Sequence, residues 1–208
     1  MLKYRKATGA DLEVCVELLG ESFSKYDYMN IFKTGKDKQL AYITKLYEVP
    51  MRIGVQRGTV LVAEKEDEIV SVAMLNAPDY KEPSILEYAC NGGLDLVKLG
   101  GIKNTLGYLN MVNRTDKACF AVAKIVPLWH LSFIAVSESY KGMGIGLKMI
   151  QEGILPYIRE QGGRFMTLIT NSYANYKFYK KNGFTDFLYE KLEFNHQELE
   201  NWSLVRSV

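Results

Sequence analysis

The sequence has few of the residues that cross-link small secreted proteins or hold structural metals. Its three cysteines, Cys15, Cys90 and Cys119, are odd in number and far apart, and no CxxC pair occurs. This pattern argues against a disulfide framework and a zinc site, and it is typical of small buried residues in a reducing cytosol. We therefore expect no bound metal and a cytoplasmic location.

Long apolar runs and a strong excess of charge of one sign are also missing. No stretch approaches the ~18 apolar residues of a membrane span, and the charged segment Met1–Lys6 is not followed by the apolar run of a signal peptide. The net charge is +2, and no cluster of lysine and arginine forms a basic stripe. These absences predict a protein that binds neither membranes nor nucleic acids, although a small anion needs only a local donor site.

Material for a core is abundant. Of the 208 residues, 48% are hydrophobic and 24% are charged, which is the balance of a soluble globular protein. Pro50 should end a helix, Pro156 should kink or shorten another, and Gly100-Gly101 should break a helical stretch between Pro78 and Pro127. The apolar pattern predicts strands at 2–7, 58–65, 69–77, 128–136, 165–170, 184–189 and 202–206, and further helices at 12–23, 37–49, 144–161 and 174–181. This alternation predicts an α/β sheet covered by helices.

The most informative segment is a glycine-rich loop at 141–146 between a predicted apolar strand and a helix. Its sequence is Lys-Gly-Met-Gly-Ile-Gly, and Ala135-Val136 stands shortly before it. Glycines let the backbone approach a ligand closely and adopt positive φ. The unpaired N–H groups of the first helical turn, together with the helix dipole, attract anions. The loop therefore predicts a phosphate-binding site.

Two nucleotide-binding motifs compete for this loop, and neither fits. A P-loop needs Gly-x-x-x-x-Gly-Lys-Ser/Thr, and a Rossmann fingerprint needs Gly-x-Gly-x-x-Gly. Counted from Gly142, the last glycine of either motif falls on Leu147. The next strand ends in Thr170-Asn171, where a Rossmann fold needs an acid for the ribose. An ordinary strand–helix connection with helpful glycines remains the alternative when the loop is considered alone.

The loop resembles the motif Gln/Arg-x-x-Gly-x-Gly/Ala of the GNAT N-acetyltransferase superfamily, with Lys141 in place of the usual Gln or Arg. A second block resembles the family's helix motif Asn-x-x-Phe-Tyr-x-x-x-Gly-Phe. It runs from Asn175 through Phe178-Tyr179 to Gly183-Phe184. Both blocks occur in the family's order and at a plausible separation. The chain is therefore identified as a member of this superfamily.

The resemblance implies the GNAT acyl-CoA N-acyltransferase fold, which is a mixed, twisted sheet of about seven strands flanked by helices. It implies a single domain over 1–208, with a helical insertion at about 79–127 between the third and fourth strands. It also implies that the strands at 128–136 and 165–170 splay apart. The pantetheine arm of acetyl-CoA would then bond to the backbone of Ile134 and Val136, which pairs polar groups that are expensive to leave unpaired.

The resemblance also assigns site residues. In the family, the loop amides hold the CoA pyrophosphate, and the tyrosine matched by Tyr179 is the general acid that protonates the leaving thiolate. From periodicity alone a core aromatic is the better explanation, because Tyr173, Tyr176 and Tyr179 recur at near-helical spacing, and the family match reverses that preference. The cofactor-binding residues implied for acetyl-CoA are Ile134, Ala135, Val136, Lys141, Gly142, Met143, Gly144, Ile145, Gly146, Asn171, Asn175 and Tyr179.

A general base is needed because an alkylamine, with a pKa of ~10, arrives protonated. The chain has two histidines, and His130 lies in a predicted strand whose alternation places it on one face with Ser132, Ile134 and Val136. Several GNAT members have a His or Glu base near this position. We predict His130 as the base, with an ionisation near ~6–7. A structural histidine, a water chain and an acid from the insertion remain alternatives.

The predicted function is transfer of the acetyl group of acetyl-CoA to a primary amine of a small molecule, because the insertion would help to enclose the acceptor. Near its start, Tyr80, Glu82, Glu87 and Tyr88 would suit a cationic amine, although such residues are usually just surface. One alternative is a protein N-terminal or lysine acetyltransferase, which would need an open groove. Another is a non-catalytic sensor that binds acyl-CoA. Family members are often dimers, so the resemblance adds a homodimer as one expected oligomeric state.

Overall fold

A seven-stranded mixed sheet organises the fold, as predicted. The computed structural model describes residues 1–32, 34–123 and 126–208. Its strands lie in the order β1-β2-β3-β4-β5-β7-β6. β4 and β5 run parallel, and every other neighbouring pair is antiparallel. The strands are β1 (Lys3–Lys6), β2 (Val60–Lys65), β3 (Glu68–Asn76), β4 (Trp129–Val136), β5 (Phe165–Thr170), β6 (Thr185–Phe194) and β7 (Gln197–Ser207).

Helices cover both faces of the sheet. They are α1 (Leu12–Ser24), α2 (Lys36–Gln56), α3 (Ile85–Tyr88), α4 (Leu94–Thr115), α5 (Lys117–Ala123), α6 (Ile145–Lys148), α7 (Leu155–Glu160) and α8 (Tyr173–Lys181). Side chains of α1, α2 and α4 form one apolar core with one face of the sheet. Side chains of α6, α7 and α8 form a second core with the other face. In the described part of the chain, no helix is both long and apolar enough to cross a membrane.

Pro50 lies inside α2, so the predicted end of this helix at Pro50 is wrong. A proline in a helix interior costs about 3 kcal/mol, because it removes a backbone donor and crowds the preceding turn. The turns beyond it are buried, with Met51 0% and Ile53 4% exposed. Burial of each such side chain contributes about 1.5–3 kcal/mol. Tertiary packing of the last turns against the sheet therefore outweighs the local preference of proline.

The segment between β3 and β4 is helical, and α4 breaks where the glycine pair predicted it. Gly101 has φ 77° and ψ 158°, which are not helical values. Its neighbour Gly100 lies against Tyr42 of α2, and a Cβ at this position would come within 2.0 Å of Tyr42 Cε2. The missing side chain at Gly100 therefore allows α4 to pack closely on α2.

The helix that follows the glycine-rich loop is continuous but not uniform. A π-helical stretch, Met149–Ile154, connects α6 to α7 and ends just before Pro156. Pro156 cannot donate the α-helical hydrogen bond to the carbonyl of Glu152, and a wider turn accommodates that loss. The irregularity expected from Pro156 is therefore present, and the chain remains helical through Glu160.

The β6–β7 hairpin is longer than the strands predicted at 184–189 and 202–206. The two strands extend to a tight turn at Asn195-His196, where φ is 48° and 62°. Cross-strand pairs hold the extension, including an ion pair between Lys191 and Glu198 at 2.7 Å and the register Leu192 to Leu199. Leu192 and Phe194 alternate with charged residues and are buried in one of the two cores. The extension of β6 therefore carries a strand pattern that the prediction did not include.

Candidate functional site

β4 and β5 form a V-shaped opening at their carboxyl ends. Their pairing is limited to 129–131 of β4 against 166–168 of β5, whereas β4 stays paired with β3 as far as Val136. From Ser132 onward, one edge of β4 has no strand partner among the described residues. The structure thus contains the splay that the resemblance implied.

The unpaired edge of β4 presents the backbone groups of Ile134 and Val136. The N–H of Ser137 donates to the carbonyl of Val70 at 2.9 Å. In this antiparallel ladder Ser137 and Ala135 therefore direct their backbone groups toward β3, and the residues between them direct theirs to the opposite edge. Ile134 and Val136 consequently face the opening, where an extended ligand can bond to them as a strand would.

A β-bulge in β4 changes the face that His130 occupies. The register of β3 against β4 shifts at Ser132, which has no opposing residue. One extra residue in a strand reverses the alternation of side chains along it. Accordingly, Phe133 packs with one core, whereas Ile134 and Val136 pack with the other. The predicted common face for His130, Ile134 and Val136 is therefore wrong, and His130 shares its face with Phe133.

The glycine-rich loop has a backbone that favours glycine. Gly142 and Gly144 have φ of 77° and 75°, and left-handed values cost other residues about 1–2 kcal/mol. Gly144 is the N-cap residue of α6, and the N–H groups of the first helical turn have no acceptor within the helix. A Cβ on either glycine would meet nothing within 4 Å. The N–H groups of Lys141 and Met143 already donate to the carbonyls of Glu138 and Tyr140. The other loop donors and the positive helix end therefore form the candidate anion site.

The side chains of the loop are paired, exposed or buried in the core. Lys141 Nζ lies 2.7 Å from Glu138 Oε2 in an exposed ion pair. Met143 is exposed, and Ile145 is buried in the core. Gly146 lies beside β4, with ordinary van der Waals space for a Cβ. The backbone, rather than any side chain, is thus what 141–146 presents to a ligand.

Asn171 and Asn175 lie where β5 ends and α8 begins. Asn171 Nδ2 donates to the carbonyl of Glu200 at 2.8 Å and to Asn201 Oδ1 at 3.0 Å. Asn175 Nδ2 donates to the hydroxyl of Tyr26 at 3.0 Å. Both asparagines also line the opening between β4 and β5. Their hydrogen bonds connect that opening to β7 and to the segment after α1.

Tyr179 reaches the same opening from α8. Its side chain is buried, and its ring packs edge-on against Phe178 and Phe184, each with centroids 5.3 Å apart. Burial, with a smaller contribution from Tyr26, raises the pKa of Tyr179 above its ordinary value. A phenol in this environment keeps its proton at neutral pH and is able to donate it. The ring is thus packed as a core aromatic while it also lines the opening.

His130 is buried between α5 and β5. Its Nδ1 lies 3.0 Å from Thr167 Oγ1, and the hydroxyl of Thr167 donates to the carbonyl of Trp129 at 3.4 Å. The hydrogen-bond network therefore assigns the Nδ1 proton to His130, as donor to Thr167. Its Nε2 faces Asp116 Oδ1 at 3.6 Å, which is too long for a hydrogen bond but suits an ion pair.

These neighbours favour the charged form of His130. Burial by itself lowers its pKa, but the Asp116 carboxylate and, next, the Cys119 thiol outweigh burial and raise the pKa from 6.5 to about 10. The network agrees, because a neutral ring that donates from Nδ1 would turn the lone pair of Nε2 toward a carboxylate. His130 is therefore an imidazolium at neutral pH, and the ionisation expected near 6–7 moves to higher pH.

Two adjoining cavities surround this part of β4. The smaller one, of about 110 Å³, occupies the opening and is lined by Tyr179 and Asn175 among others. The larger one, of about 460 Å³, lies between α2, α4 and the adjacent ends of β3 and β4. The walls that they share are formed by Tyr108, Val112, Asp116, Ser132 and Phe133. The bulge in β4 thus lies where the two cavities meet.

Asp116 is the candidate that the sequence interpretation missed. It lies at the carboxyl end of α4, is 9% exposed, and lines both cavities. The sequence does carry a signal that could have pointed to it, because Asp116 is the sole acidic residue between Asp95 and Glu138. A lone carboxylate in an apolar helical insertion is costly to bury unless it is paired, and this makes it a candidate for function.

Comparisons with known proteins agree with this geometry. Residues 99–186 match the family model of the acetyltransferase (GNAT) domain. This span includes the glycine-rich loop, the opening between β4 and β5, and Tyr179. Over these residues the chain is similar to the GNAT acetyltransferase domain, and the resemblance stated for its two motifs is confirmed. No curated protein gives a significant match in sequence.

Solved structures share the fold over the whole chain at low identity. The C-terminal condensation domain of Ebony, in complex with β-alanyl-dopamine, has a TM-score of 0.72 and 12% identity, covering 100% of this chain and 99% of that one. A mosquito (Aedes aegypti) arylalkylamine N-acetyltransferase 7, itself putative in function, has a TM-score of 0.67 and 13% identity, covering 98% and 87%. The Drosophila melanogaster polyamine N-acetyltransferase, which forms N-acetylagmatine, has a TM-score of 0.64 and 14% identity, covering 100% of both chains. These likenesses show the GNAT fold.

Proposed function

We propose that the chain is an N-acetyltransferase that transfers the acetyl group of acetyl-CoA to a primary amine of a small molecule. One observation carries the proposal. The free backbone edge of β4 borders an opening in the sheet, the glycine-rich helix start follows the same end of β4 and packs beside Val136, and Tyr179 lines that opening. The first two provide donors and acceptors for an extended, phosphorylated ligand, and the third provides a buried proton donor beside it.

The residues around the opening fit the parts of acetyl-CoA. The N–H groups of Gly142, Gly144 and Gly146 suit the pyrophosphate, because they lie at a helix N-terminus, with open space beside Gly142 and Gly144. The backbone of Ile134 and Val136 suits the amides of the pantetheine arm. Ala135, Lys141, Met143, Ile145, Asn171 and Asn175 complete the proposed cofactor-binding set around these contacts.

Acetyl-CoA, when bound, supplies the acetyl group as a thioester. The amine nitrogen forms the new C–N bond as the C–S bond breaks, and Tyr179 donates its phenolic proton to the departing sulfur. The amine gives up one proton before its attack, which Asp116 accepts and passes to solvent. The second proton leaves the nitrogen after the attack and restores the phenol of Tyr179 through solvent. One proton is released overall.

His130 keeps a place in this proposal, but an indirect one. Asp116 lines both cavities, whereas His130 lines neither of them. His130 is also charged in the resting protein, so it cannot accept a proton there. We therefore assign His130 as a positioning residue that holds the Asp116 carboxylate, and Asp116 as the group that meets the amine.

Small-molecule amines are the favoured acceptors for two reasons. The larger cavity, of about 460 Å³, lies between α2 and α4 and adjoins the opening, and its volume suits a small molecule. The neighbours with the same fold include proteins described as acting on polyamines and named for arylalkylamines. A single domain over 1–208, a cytoplasmic location and a homodimer stay predictions.

The direct experiment measures thiol release from acetyl-CoA with a panel of amines, polyamines, aminoglycosides and peptides, together with calorimetry of acetyl-CoA binding. We expect binding, and turnover with small amines. Binding without turnover on any acceptor would support the acyl-CoA sensor instead. Turnover with peptides alone would support a protein acetyltransferase. Failure to bind acetyl-CoA would remove the proposal altogether.

A further inference from the structure

The larger cavity leads directly to the opening between β4 and β5. The two cavities share Asp116, Ser132 and Phe133 at the bulge in β4. A molecule in the larger cavity can therefore present one end to the opening and keep the rest between α2 and α4. This arrangement separates a reacting end from a tail.

One buried carboxylate lines the reacting end of the cavity. Among the described residues, neither cavity is lined by lysine, arginine or histidine, and the carboxylates that line them are Asp116 and Glu82. Asp116 is buried at the junction, whereas Glu82 is exposed at the rim, where water screens its charge. His130 lines neither cavity, and its Nε2 lies 3.6 Å from Asp116 Oδ1. An ammonium group would therefore share the Asp116 carboxylate with the imidazolium. Among the described residues, this is the one buried point of the two cavities where a cation meets a carboxylate.

The other polar side chains near that point cannot replace a carboxylate. Tyr28, Tyr47 and Tyr108 line the smaller cavity. Burial is the largest cause that raises the pKa of each of these phenols above its ordinary value, so they remain neutral. Neutral hydroxyls orient an ammonium group but do not balance its charge. Asp116, which the ammonium group would share with His130, is the buried carboxylate within its reach.

The tail end of the cavity is apolar. Its volume of about 460 Å³ lies within the ~300–1,000 Å³ typical of ligand pockets. Its wall includes Val49 of α2 and Leu96, Val97 and Leu109 of α4. A second cation on the tail would lie against these side chains without a buried partner, and such a charge is costly to desolvate.

We propose that the acceptor is a primary monoamine with an apolar alkyl or aryl tail, whose ammonium group binds Asp116 while the tail fills the cavity between α2 and α4. This inference rests on the proposed acetyltransferase function and narrows its substrate class. It makes Asp116 a specificity-determining residue. It also predicts that diamines and polyamines of the same length are poor acceptors.

The test compares two probes that differ by one charge, n-hexylamine and 1,6-diaminohexane, with acetyl-CoA as donor. We expect kcat/KM for hexylamine to exceed that for the diamine by roughly tenfold or more, although the diamine offers two reactive ends. Equal or better turnover of the diamine overturns the inference, and it leaves the acetyltransferase proposal standing. This comparison uses the unaltered protein, so it does not depend on a variant that folds.

A second arm tests Asp116 itself. In Asp116→Asn we expect KM for hexylamine to rise roughly tenfold or more and kcat to fall because the proton acceptor is lost, with acetyl-CoA affinity unchanged. Asp116→Glu should recover part of the loss. In binding measurements without acetyl-CoA, the unaltered protein should bind hexylamine more tightly than 1-hexanol. Asp116→Asn should lose this preference for the amine. Asp95→Asn is the matched control, because Asp95 is an exposed carboxylate on the same helix, paired with Lys98 at 3.0 Å. An unchanged KM and an intact preference for the amine in folded Asp116→Asn would overturn the inference.

Discussion

Tyr179 is the residue on which the acid half of the proposed reaction depends. In Tyr179→Phe the ring and its contacts with Phe178 and Phe184 remain, and the proton donor is removed. We expect turnover to fall by ~10²–10⁴ and acetyl-CoA affinity to stay near normal. Steady-state kinetics and calorimetry on the same preparation measure both quantities. Turnover within about threefold of the original would return Tyr179 to a packing role.

His130 provides a second prediction at the scale of one residue, and NMR can test it. The groups that face it are Asp116 and Cys119 from the insertion side and the neutral Thr167 from β5. We expect the imidazole to stay charged through neutral pH and to titrate near about 10. In Asp116→Asn the carboxylate is gone while burial remains, so the pKa should fall well below its value in the original protein.

The pKa of His130 also has a consequence for stability. The pKa of His130 in the folded protein is raised above the ordinary 6.5. The contribution of its positive charge to the free energy of unfolding is therefore complete below pH 6.5, and it is lost as pH rises through the folded pKa. The free-energy difference between the original protein and Asp116→Asn should therefore shrink from pH 6.5 toward pH 10. Long-range ¹H–¹⁵N spectra are simple to assign, since the chain has two histidines. A His130 that titrates near neutral pH would contradict both expectations.

At the scale of elements, the loop between β4 and α6 depends on the backbone of Gly144. Its φ of 75° is left-handed, and a β-branched residue there would strain the turn and move the donor groups. In Gly144→Val we expect acetyl-CoA affinity to fall at least tenfold, or about 1.4 kcal/mol, as measured by calorimetry.

Gly162→Val is the control for this change. Gly162 also has φ 75° and open space around it, and it lies just past the end of α7, away from the opening. We expect it to lower stability by about 1–2 kcal/mol without changing acetyl-CoA affinity. If both variants bind acetyl-CoA normally while folded, the loop is not the anion site.

At the scale of the whole molecule, the insertion must stay docked on α2 for the acceptor cavity to exist. Gly100 makes this contact, and a Cβ there would lie 2.0 Å from Tyr42. In Gly100→Ala we expect a loss of about 1–3 kcal/mol in the free energy of unfolding. We also expect KM for the amine to rise more than KM for acetyl-CoA, because α4 lines the larger cavity.

Denaturant unfolding and two-substrate kinetics measure these effects, with Gly9→Ala as the matched control. A Cβ at Gly9 would meet nothing within 4 Å, so that variant should change neither stability nor either KM. Equal rises in the two KM values for Gly100→Ala would show that the insertion does not act on the acceptor cavity alone.

The sequence by itself determined the features that depend on neighbouring residues. The sheet, the glycine turn at 142–144, the break at Gly101 and the splayed strand followed from apolar spacing, from glycine's tolerance of positive φ, and from family motifs. Tertiary structure decided what depends on distant partners. Burial against the sheet keeps α2 helical past Pro50, and the unpaired Ser132 turns His130 to the other face. Contact with Asp116 makes His130 an ion-pair partner rather than a free base, because a pKa is set by burial and by charges that only the fold brings together.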